Sequence, residues 1–343
     1  MKNAILVYDP IHNIVNIGDY IQSIAARQFC SNVPVYLNRE KLNEYKGDKV
    51  KLIMNGWYMH FPENWPPSED IVPLPVAIHI NSTTYNKMLS QKGLQWFKQH
   101  EPIGCRDRYT EQKLKDNGIK AYFSGCMTLT LGESYKKEKP SDKVYFVDVY
   151  FYKNKRSFTF MSRLFAVLIT NMSKINKLKR RMYRKGGFLK NVFNAAAFYL
   201  QYKNTFDEGV LMSAEYIEHE YAADFSHDYY FEEADNLLKK YANAKLVVTS
   251  RIHCALPCTG FETPVIYVQD KSQGVDSSCR LDGLLELFNI LDITNGMVEN
   301  KTGFDVNNPP IKQTYKRLKE SLMKECKEFI ENVSSISKCN CIR

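Results

Sequence analysis

Residues 246–256 have the sequence LVVTSRIHCAL, in which a short apolar run leads through a polar turn into a helical pattern. The run Leu246–Thr249 has the length and composition of a strand that is buried on both faces, as in a parallel sheet. Ser250 is then suited to cap the following helix. A strand that leads directly into a helix is the repeating unit of an α/β fold. The polar residues at this junction, Arg251 and His253 among them, are therefore expected at the carboxyl edge of the sheet.

The same alternation of strands and helices occupies residues 1–135. Apolar runs predict the strands Ala4–Tyr8, Val33–Tyr36, Lys51–Met54, Val76–Ile80, Ile103–Cys105 and Lys120–Phe123. Helical periodicity predicts the helices Asp19–Phe29, Tyr85–Lys98 and Tyr109–Asn117. Strands that alternate with helices at this spacing indicate a parallel sheet covered on both faces. Residues 1–135 are therefore predicted to form a Rossmann-like domain.

A second Rossmann-like domain is predicted over residues 143–312. Its strands are Lys143–Asp148, Val210–Ser213, Lys245–Thr249 and Pro264–Val268, with a helix at Glu232–Tyr241. Two such domains that face one another leave a cleft at the carboxyl ends of their strands, where ligands usually bind. Residues 313–343 are predicted to form a helix, Gln313–Asn332, that packs back across the first domain, followed by a tail.

The composition excludes several classes of protein. With 343 residues, 44% hydrophobic and 25% charged, the chain is long enough for two folded domains. No apolar run approaches the roughly 20 residues of a membrane-spanning helix, and the N-terminal apolar stretch is too short for a signal peptide. Nine cysteines, without a zinc-type spacing, indicate free thiols and no structural metal. We expect a cytoplasmic protein.

The net charge of +9 is concentrated in one segment. Residues 151–206 contain thirteen lysines and arginines and no acidic residue, which leaves −4 on the rest of the chain. Apolar residues recur three, four or seven positions apart from Met161 to Met182, and Gly186-Gly187 separates this pattern from a second one. We predict a basic helical hairpin inserted in the second domain. Its charge suits a membrane surface or a solvated face. Nucleic-acid binding is not expected, because no aromatic stacking positions are interleaved with the charge.

Polar residues also follow two strands of the first domain. Gly18, after the first strand, allows a close backbone approach, and Asp19 is placed either to cap a helix or to accept a proton. Arg106 follows the strand Ile103–Cys105 and can reach the cleft, while Asp107 caps the next helix. A plain capped helix explains each of these positions equally well.

Three more candidates lie in the second domain, where His219 follows the strand Val210–Ser213, and Lys271 and Arg280 follow Pro264–Val268. A core histidine and solvated charges are the simpler interpretation. The sequence has no glycine-rich nucleotide motif, no serine nucleophile elbow, no HExxH and no DxD at a strand end. Serine hydrolases and metal-dependent transferases of the DxD type therefore lose support.

The segment 249–266 resembles a known family. The run TSRIHCALPC at 249–258, followed by GFETPVI at 260–266, is similar to the signature of the polysaccharide pyruvyl transferases. Asn16–Asp19 and Arg106-Asp107 add to the resemblance. It implies a two-domain fold like that of the GT-B glycosyltransferases, and transfer of the pyruvate unit of phosphoenolpyruvate onto two hydroxyls of a sugar to form a cyclic ketal. It also implies a role in surface polysaccharide biosynthesis, as for an exopolysaccharide or a capsule.

The resemblance implies that Arg251 and His253 serve the donor, with Lys271 at the position of a further family lysine. In this scheme His253 is the candidate general acid and Asp19 the candidate base. The residues expected at phosphoenolpyruvate are Arg251, Ser250, Ile252, Lys271, Arg106 and Arg280, and those expected at the acceptor are Asn16, Gly18 and His219. The scheme requires no metal and no organic cofactor.

Two alternatives remain open at this point. A nucleotide-sugar-dependent glycosyltransferase of the same fold would depend on a sugar nucleotide, and a non-catalytic glycan-binding protein would bind glycan without Arg251 and His253. The expected partner of the enzyme is a glycan acceptor. That acceptor is lipid-linked if the basic hairpin, aided by Phe158, Phe160 and Phe165, holds the protein at the inner face of a membrane.

Overall fold

The computed structural model describes residues 1–135, 138–153, 157–183, 186–271 and 279–331. These residues form a mixed α/β structure in which parallel sheets are covered by helices. The α/β class predicted from the sequence is therefore confirmed. The predicted tail at 332–343 lies outside the described residues, as do 154–156 and 184–185 of the basic segment.

The first half of the chain builds two short parallel sheets that lie end to end. Their orders are β3-β1-β4-β6 and β5-β7-β8-β9. Amide–carbonyl hydrogen bonds from Met54 to Leu74 and from Gly56 to Ala77 continue the pairing from one sheet to the next. The strands of this half are β1 (Lys2–Val7), β2 (Ile14–Asn16), β3 (Val35–Asn38), β4 (Val50–Ile53), β5 (Gly56–Tyr58), β6 (Ile71–Leu74), β7 (Ile78–Ile80), β8 (Ile103–Cys105) and β9 (Ala121–Phe123).

The helices of the first half are α1 (Ile17–Arg27), α2 (Tyr85–Met88), α3 (Gln91–Gln99) and α4 (Arg108–Asp116). The single helix predicted over Tyr85–Lys98 is wrong. The chain leaves the helical conformation at Leu89, and the Ser90 side chain accepts a hydrogen bond from the Gly93 amide to cap a new helix. Gly93 is required at this junction, because a Cβ there would lie 1.8 Å from the Met88 carbonyl oxygen.

The second half builds one larger sheet of order β11-β10-β13-β14-β15-β16, which is parallel except for the last pair. Its central strands are rich in Val, Ile and Leu because both faces are covered, and all four residues of β13 are buried. The strands of the second half, of which β12 lies outside this sheet, are β10 (Val144–Val147), β11 (Glu215–Ile217), β12 (Glu220–Ala222), β13 (Leu246–Thr249), β14 (Val265–Asp270), β15 (Asn289–Thr294) and β16 (Met297–Glu299).

The predicted hairpin is present in the described residues as α5 (Phe158–Met182) and α6 (Phe188–Tyr202). Gly186, with φ +110°, turns the chain before α6. The hairpin covers one face of the second sheet, where Phe198 of α6 packs edge-on against Phe146 of β10 with ring centroids 5.7 Å apart. The remaining helices are α7 (Glu208–Ser213), α8 (His227–Ala242), α9 (Ile252–Gly260) and α10 (Lys316–Glu331).

The strand predicted at Val210–Ser213 is wrong, because these residues belong to α7. Leu211 and Met212 are buried in the core beneath the hairpin, and the strand β11 begins only at Glu215. A four-residue apolar run does not by itself distinguish a strand from a short buried helix.

The two halves are joined by shared structure. The strand β12 pairs antiparallel with β2, so that Glu220 lies opposite Asn16. The terminal helix α10 contacts the first half as predicted, and Lys51 donates to the carbonyls of Phe329 and Ile330 at 2.7 and 3.0 Å. Within the part of the chain described, no helix is both long and apolar enough to span a bilayer. No group of three or more potential metal ligands was found there either.

Candidate active site

A cavity of about 370 Å³ lies between the two halves of the chain, at the carboxyl ends of β1, β8 and β13. The start of α1 lines it from the first half, and the start of α9 lines it from the second. Basic side chains dominate its wall, while Asp9, Asp19 and Glu220 supply carboxylates. The basic and imidazole groups include Arg39, Arg106, Arg251, Arg280, His60 and His253. The cavity is therefore suited to a small anion.

His253 lies in the first turn of α9, where it is 8% exposed. Its Nε2 atom is 3.4 Å from Nη1 of Arg106. Burial holds the pKa of His253 well below its usual value, and the positive charges of Arg106 and Arg280 lower it further. The imidazole is therefore neutral at physiological pH while the cavity holds no anion.

Arg106 is a buried cation that follows β8. Its side chain is 2% exposed, and its Nε atom has no hydrogen-bond partner among the described residues. No carboxylate in the described part of the chain forms an ion pair with it, and burial lowers its pKa. The next residue, Asp107, caps α4 as predicted and also bonds Nδ1 of His79 at 2.6 Å. A buried guanidinium without a counter-ion is costly unless a ligand supplies the negative charge.

Gly18 brings the two halves into contact at the cavity. A Cβ on this residue would lie 3.3 Å from Cβ and 3.4 Å from Nδ1 of His253. Asn16 caps α1, since its Oδ1 accepts a hydrogen bond from the Gly18 amide at 3.1 Å. The cap is therefore Asn16 and not Asp19, which leaves the Asp19 carboxylate available to the cavity.

Asp19 occupies the first turn of α1, and its Oδ1 accepts a hydrogen bond from Gln22 at 3.1 Å. Burial raises the pKa of this carboxyl, although the charges of Arg39 and Arg106 oppose the rise. A carboxylate with a raised pKa in a cavity wall is suited to accept a proton from a hydroxyl.

Arg251 is held by two carboxylates. Its Nε donates to Asp148 and its Nη2 to Glu220, each at 2.8 Å, and its side chain is 35% exposed. The guanidinium lines the cavity in this paired state. The Arg251 guanidinium is therefore paired with local acids. Arg280, also in the wall, forms no ion pair with a described residue.

Ser250 does not cap α9, so that prediction is wrong. Its hydroxyl donates to the Val268 carbonyl at 2.7 Å and accepts from the Tyr150 amide at 2.9 Å, which joins three neighbouring segments of the second sheet. The helix begins at Ile252, and no side chain caps it. The uncapped start of α9, with Ile252 and His253, therefore lines the cavity, and the dipole of a helix favours an anion at its N-terminus.

A comparison with protein families matches residues 16–272 to the model of the polysaccharide pyruvyl transferases. The match covers most of the chain, including the residues after β1 and the β13–α9 junction. The chain belongs to the polysaccharide pyruvyl transferase family. The resemblance carried by 249–266 is thereby confirmed. A comparison with curated proteins gives no match.

Two further residues predicted at the site of this pyruvyl transferase family member differ in position, since His219 lines the cavity and Lys271 does not. The His219 ring is fully buried, with Nε2 2.8 Å from the Tyr241 hydroxyl, and burial lowers its pKa to about 3. Its carbonyl accepts a hydrogen bond from the Ile17 amide, so it supports the start of α1. Lys271 lies outside the residues that line the cavity, with Nζ 3.8 Å from Asp292.

Sequence reasoning missed Arg39, Trp57 and His60, which the structure places in the cavity wall. The Arg39 guanidinium is buried between two aromatic rings, 4.8 Å from the centroid of Tyr8 and 5.1 Å from that of Trp57. Arg39 follows β3 directly, so extending the predicted strand to Asn38 would have indicated it. Trp57 belongs to β5, which the sequence pattern did not predict.

Proposed function

We propose that this protein transfers the pyruvate unit of phosphoenolpyruvate onto two hydroxyls of a sugar, forming a cyclic ketal on a surface polysaccharide such as a capsule or exopolysaccharide. Family membership supports pyruvyl transfer over the glycosyltransferase and the non-catalytic alternatives. A GT-B-like arrangement of two domains about the cavity is part of the proposal.

The buried, unpaired Arg106 is the observation that carries the donor assignment. Phosphoenolpyruvate bears a carboxylate and a phosphate, and both are recognised by guanidinium groups and by the N-terminus of a helix. Arg106, Arg280 and the uncapped start of α9 supply such groups around one cavity. The cavity volume of about 370 Å³ suits a ligand of this size.

His253 is the proposed acid. Burial, and after it the charges of Arg106 and Arg280, lower its pKa and keep the imidazole neutral in the free protein. A phosphate bound between them would reverse the local charge and raise the pKa of His253, so that the ring takes up a proton as the donor binds. His253 then protonates the methylene carbon of phosphoenolpyruvate, which leaves an oxocarbenium-like carbon next to the carboxylate.

Asp19 is the proposed base on the opposite wall. It accepts the proton of the first sugar hydroxyl as that oxygen bonds to the oxocarbenium carbon. The carbon–oxygen bond to phosphate then breaks, and the phosphate leaves with the electron pair and takes the proton held by Asp19. The second hydroxyl bonds to the same carbon and gives its proton to the neutral His253 imidazole. The products are the ketal and inorganic phosphate. No step of this scheme uses a metal or an organic cofactor.

The reaction can be tested with a panel of methyl hexosides and sugar diphosphates as acceptors. With phosphoenolpyruvate we expect phosphate release and a product heavier than the acceptor by pyruvate less one water. Replacing phosphoenolpyruvate with a uridine diphosphate hexose should give no transfer. Transfer of a hexose from the uridine diphosphate hexose, without transfer of pyruvate from phosphoenolpyruvate, would contradict the proposal and support a glycosyltransferase instead.

We also propose that the hairpin rests on the inner face of a membrane. Phe158, Phe165 and Ile169 are exposed on α5 at spacings of seven and four residues, which places them on one side of the helix. Met172 is also exposed and follows a kink in α5 at Asn171. Phe158 is 86% and Ile169 82% exposed. Exposed apolar residues on a basic helix are typical of contact with anionic lipid.

One residue assigned to this contact is corrected by the structure. Phe160 is only 5% exposed and packs edge-on against Tyr152, with ring centroids 5.3 Å apart, so it is not available to lipid. Part of the basic charge is also engaged within the protein. Lys174 pairs with Glu208, and Arg181 donates to the Ser213 carbonyl.

Co-sedimentation with vesicles tests the membrane contact. The protein should bind vesicles containing phosphatidylglycerol and not vesicles of phosphatidylcholine alone, and replacing both Phe165 and Ile169 with Ser should abolish binding. Val33→Ser is a matched control, since Val33 is 90% exposed but lies in the first half of the chain. Equal binding by the double variant and the wild type would contradict the contact.

A further inference from the structure

A second, larger cavity of about 850 Å³ lies between the hairpin and the carboxyl ends of β10 and β11. It adjoins the donor cavity, because Glu220, Ser250, Arg251 and Arg280 line both. Its volume is at the upper end of the range for small-molecule sites and exceeds what phosphoenolpyruvate needs. The second cavity can therefore hold a larger molecule next to the donor.

Two lysines of the hairpin segment face this cavity without a counter-ion. Lys153 precedes α5, and Lys190 lies in the first turn of α6. Neither forms an ion pair with any residue in the described ranges. Burial lowers the pKa of Lys153, and the like charge of Lys190 lowers it further, so the two ammonium groups sense one another. Nζ of Lys153 lies 4.2 Å from the centroid of the Phe151 ring, a cation–π contact that helps to position this lysine.

Carboxylates occupy the side of the cavity nearest the donor. Asp148 and Glu220 hold Arg251 there, and Glu218 lines the same cavity. Burial and the charges of Asp148 and Glu220 raise the pKa of Glu218, which makes no hydrogen bond or ion pair with the rest of the described chain. Carboxylate oxygens accept hydrogen bonds from hydroxyl groups. Lysines without a counter-ion among the described residues lie on the hairpin side of the cavity, and carboxylates together with Arg251 and Arg280 lie on the donor side, so the two sides differ in chemistry.

We propose that this second cavity binds the acceptor as a sugar that carries a phosphate or diphosphate. The anionic group lies at Lys153 and Lys190, and the sugar hydroxyls lie toward Glu218 and the donor cavity. This inference rests on the proposed function, and it assigns the inserted hairpin a role in selecting the acceptor. The anion can belong to a lipid diphosphate or to a nucleotide diphosphate.

The test is isothermal titration of the full-length protein with inorganic pyrophosphate, in the presence of saturating phosphoenolpyruvate. We expect pyrophosphate to bind the wild type and its Kd to rise at least tenfold when Lys153 and Lys190 are both replaced with Ala. Lys177→Ala is the matched control, because Lys177 is an exposed lysine of α5 that does not line the cavity. The Kd for phosphoenolpyruvate should be the same in all three proteins, which also reports that the double variant is folded.

Farnesyl diphosphate represents a lipid diphosphate, and uridine diphosphate represents a nucleotide diphosphate. The compound that binds more tightly indicates which of the two carries the acceptor. Equal pyrophosphate affinity in the double variant and the wild type would overturn the proposal, as would an equal loss in Lys177→Ala. If the wild type does not bind phosphoenolpyruvate, the donor assignment fails. The lysine dependence of pyrophosphate binding still decides the second cavity in that case.

Discussion

Nη1 of Arg106 lies 3.4 Å from Nε2 of His253, although the two residues come from opposite halves of the chain. One follows β8 and the other begins α9, and both are buried in the wall of one cavity. Burial lowers the pKa of His253, and the nearby guanidinium lowers it further. Under the proposed function, a bound anion would offset the charge of Arg106 and favour protonation of the imidazole.

The first prediction concerns the protonation of His253. Burial and the charges of Arg106 and Arg280 lower its pKa in the free protein. Its ring should therefore stay neutral at a pH below about 6.5, where an ordinary histidine is protonated. Phosphoenolpyruvate should move the titration to higher pH. Nitrogen NMR of histidine-labelled protein, with His253→Gln for assignment and His100 as the internal control, measures both states. A ring that stays neutral at every pH in the complex would exclude His253 as the acid.

The second prediction concerns Gly18. In Gly18→Ala the new Cβ would crowd Cβ and Nδ1 of His253 at 3.3 and 3.4 Å, so the imidazole or α1 has to shift. We expect kcat/KM to fall at least tenfold with phosphoenolpyruvate as donor. Gly209→Ala is the control, because its Cβ would meet nothing within 4 Å. Equal activity of the two variants would show that the close contact is not needed.

The third prediction concerns Asp19. Asp19→Asn removes the proposed base and should lower kcat by about 10²- to 10⁴-fold while phosphoenolpyruvate still binds. Because the pKa of Asp19 is raised, wild-type activity should fall as the pH drops toward that raised value and the carboxylate becomes protonated. Steady-state kinetics over a pH series, with Asp116→Asn as a surface control, measures both effects. Unchanged kcat in Asp19→Asn would remove this residue from the mechanism.

The fourth prediction concerns the stability contributed by neutral His219. Its folded pKa of about 3 lies below the unfolded value near 6.5, so between these values the unfolded chain binds the extra proton and stability falls as the pH falls. From pH 6.5 to pH 5 this loss is about 2 kcal/mol. In urea unfolding between pH 6.5 and pH 5, the free energy of unfolding should therefore fall by that much less in His219→Gln than in the wild type. Identical pH dependence would mean that the pKa of His219 is the same in the folded and unfolded states.

Local patterns predicted the parts of the site that depend on neighbours in sequence. The apolar run before Ser250 predicted β13 and the helix after it, and Asp107 was correctly predicted as a cap. The role of Ser250 was missed because its hydroxyl bonds the Val268 carbonyl, which only the parallel pairing of β13 and β14 brings near. Arg251 has two carboxylate partners that are distant in sequence. Asp148 is brought near by the pairing of β10 with β13, and Glu220 lies in β12, which pairs with β2.

Titration of phosphoenolpyruvate onto the wild type, Arg106→Gln and Arg108→Gln tests the central claim most directly. Arg108 is the matched control, since it lies two residues away but is exposed over the Phe123 ring. Hydrogen bonds to charged groups contribute about 1.5–3 kcal/mol, so Arg106→Gln should raise the Kd at least tenfold while Arg108→Gln leaves it unchanged. Equal binding by all three proteins would show that Arg106 does not bind the donor.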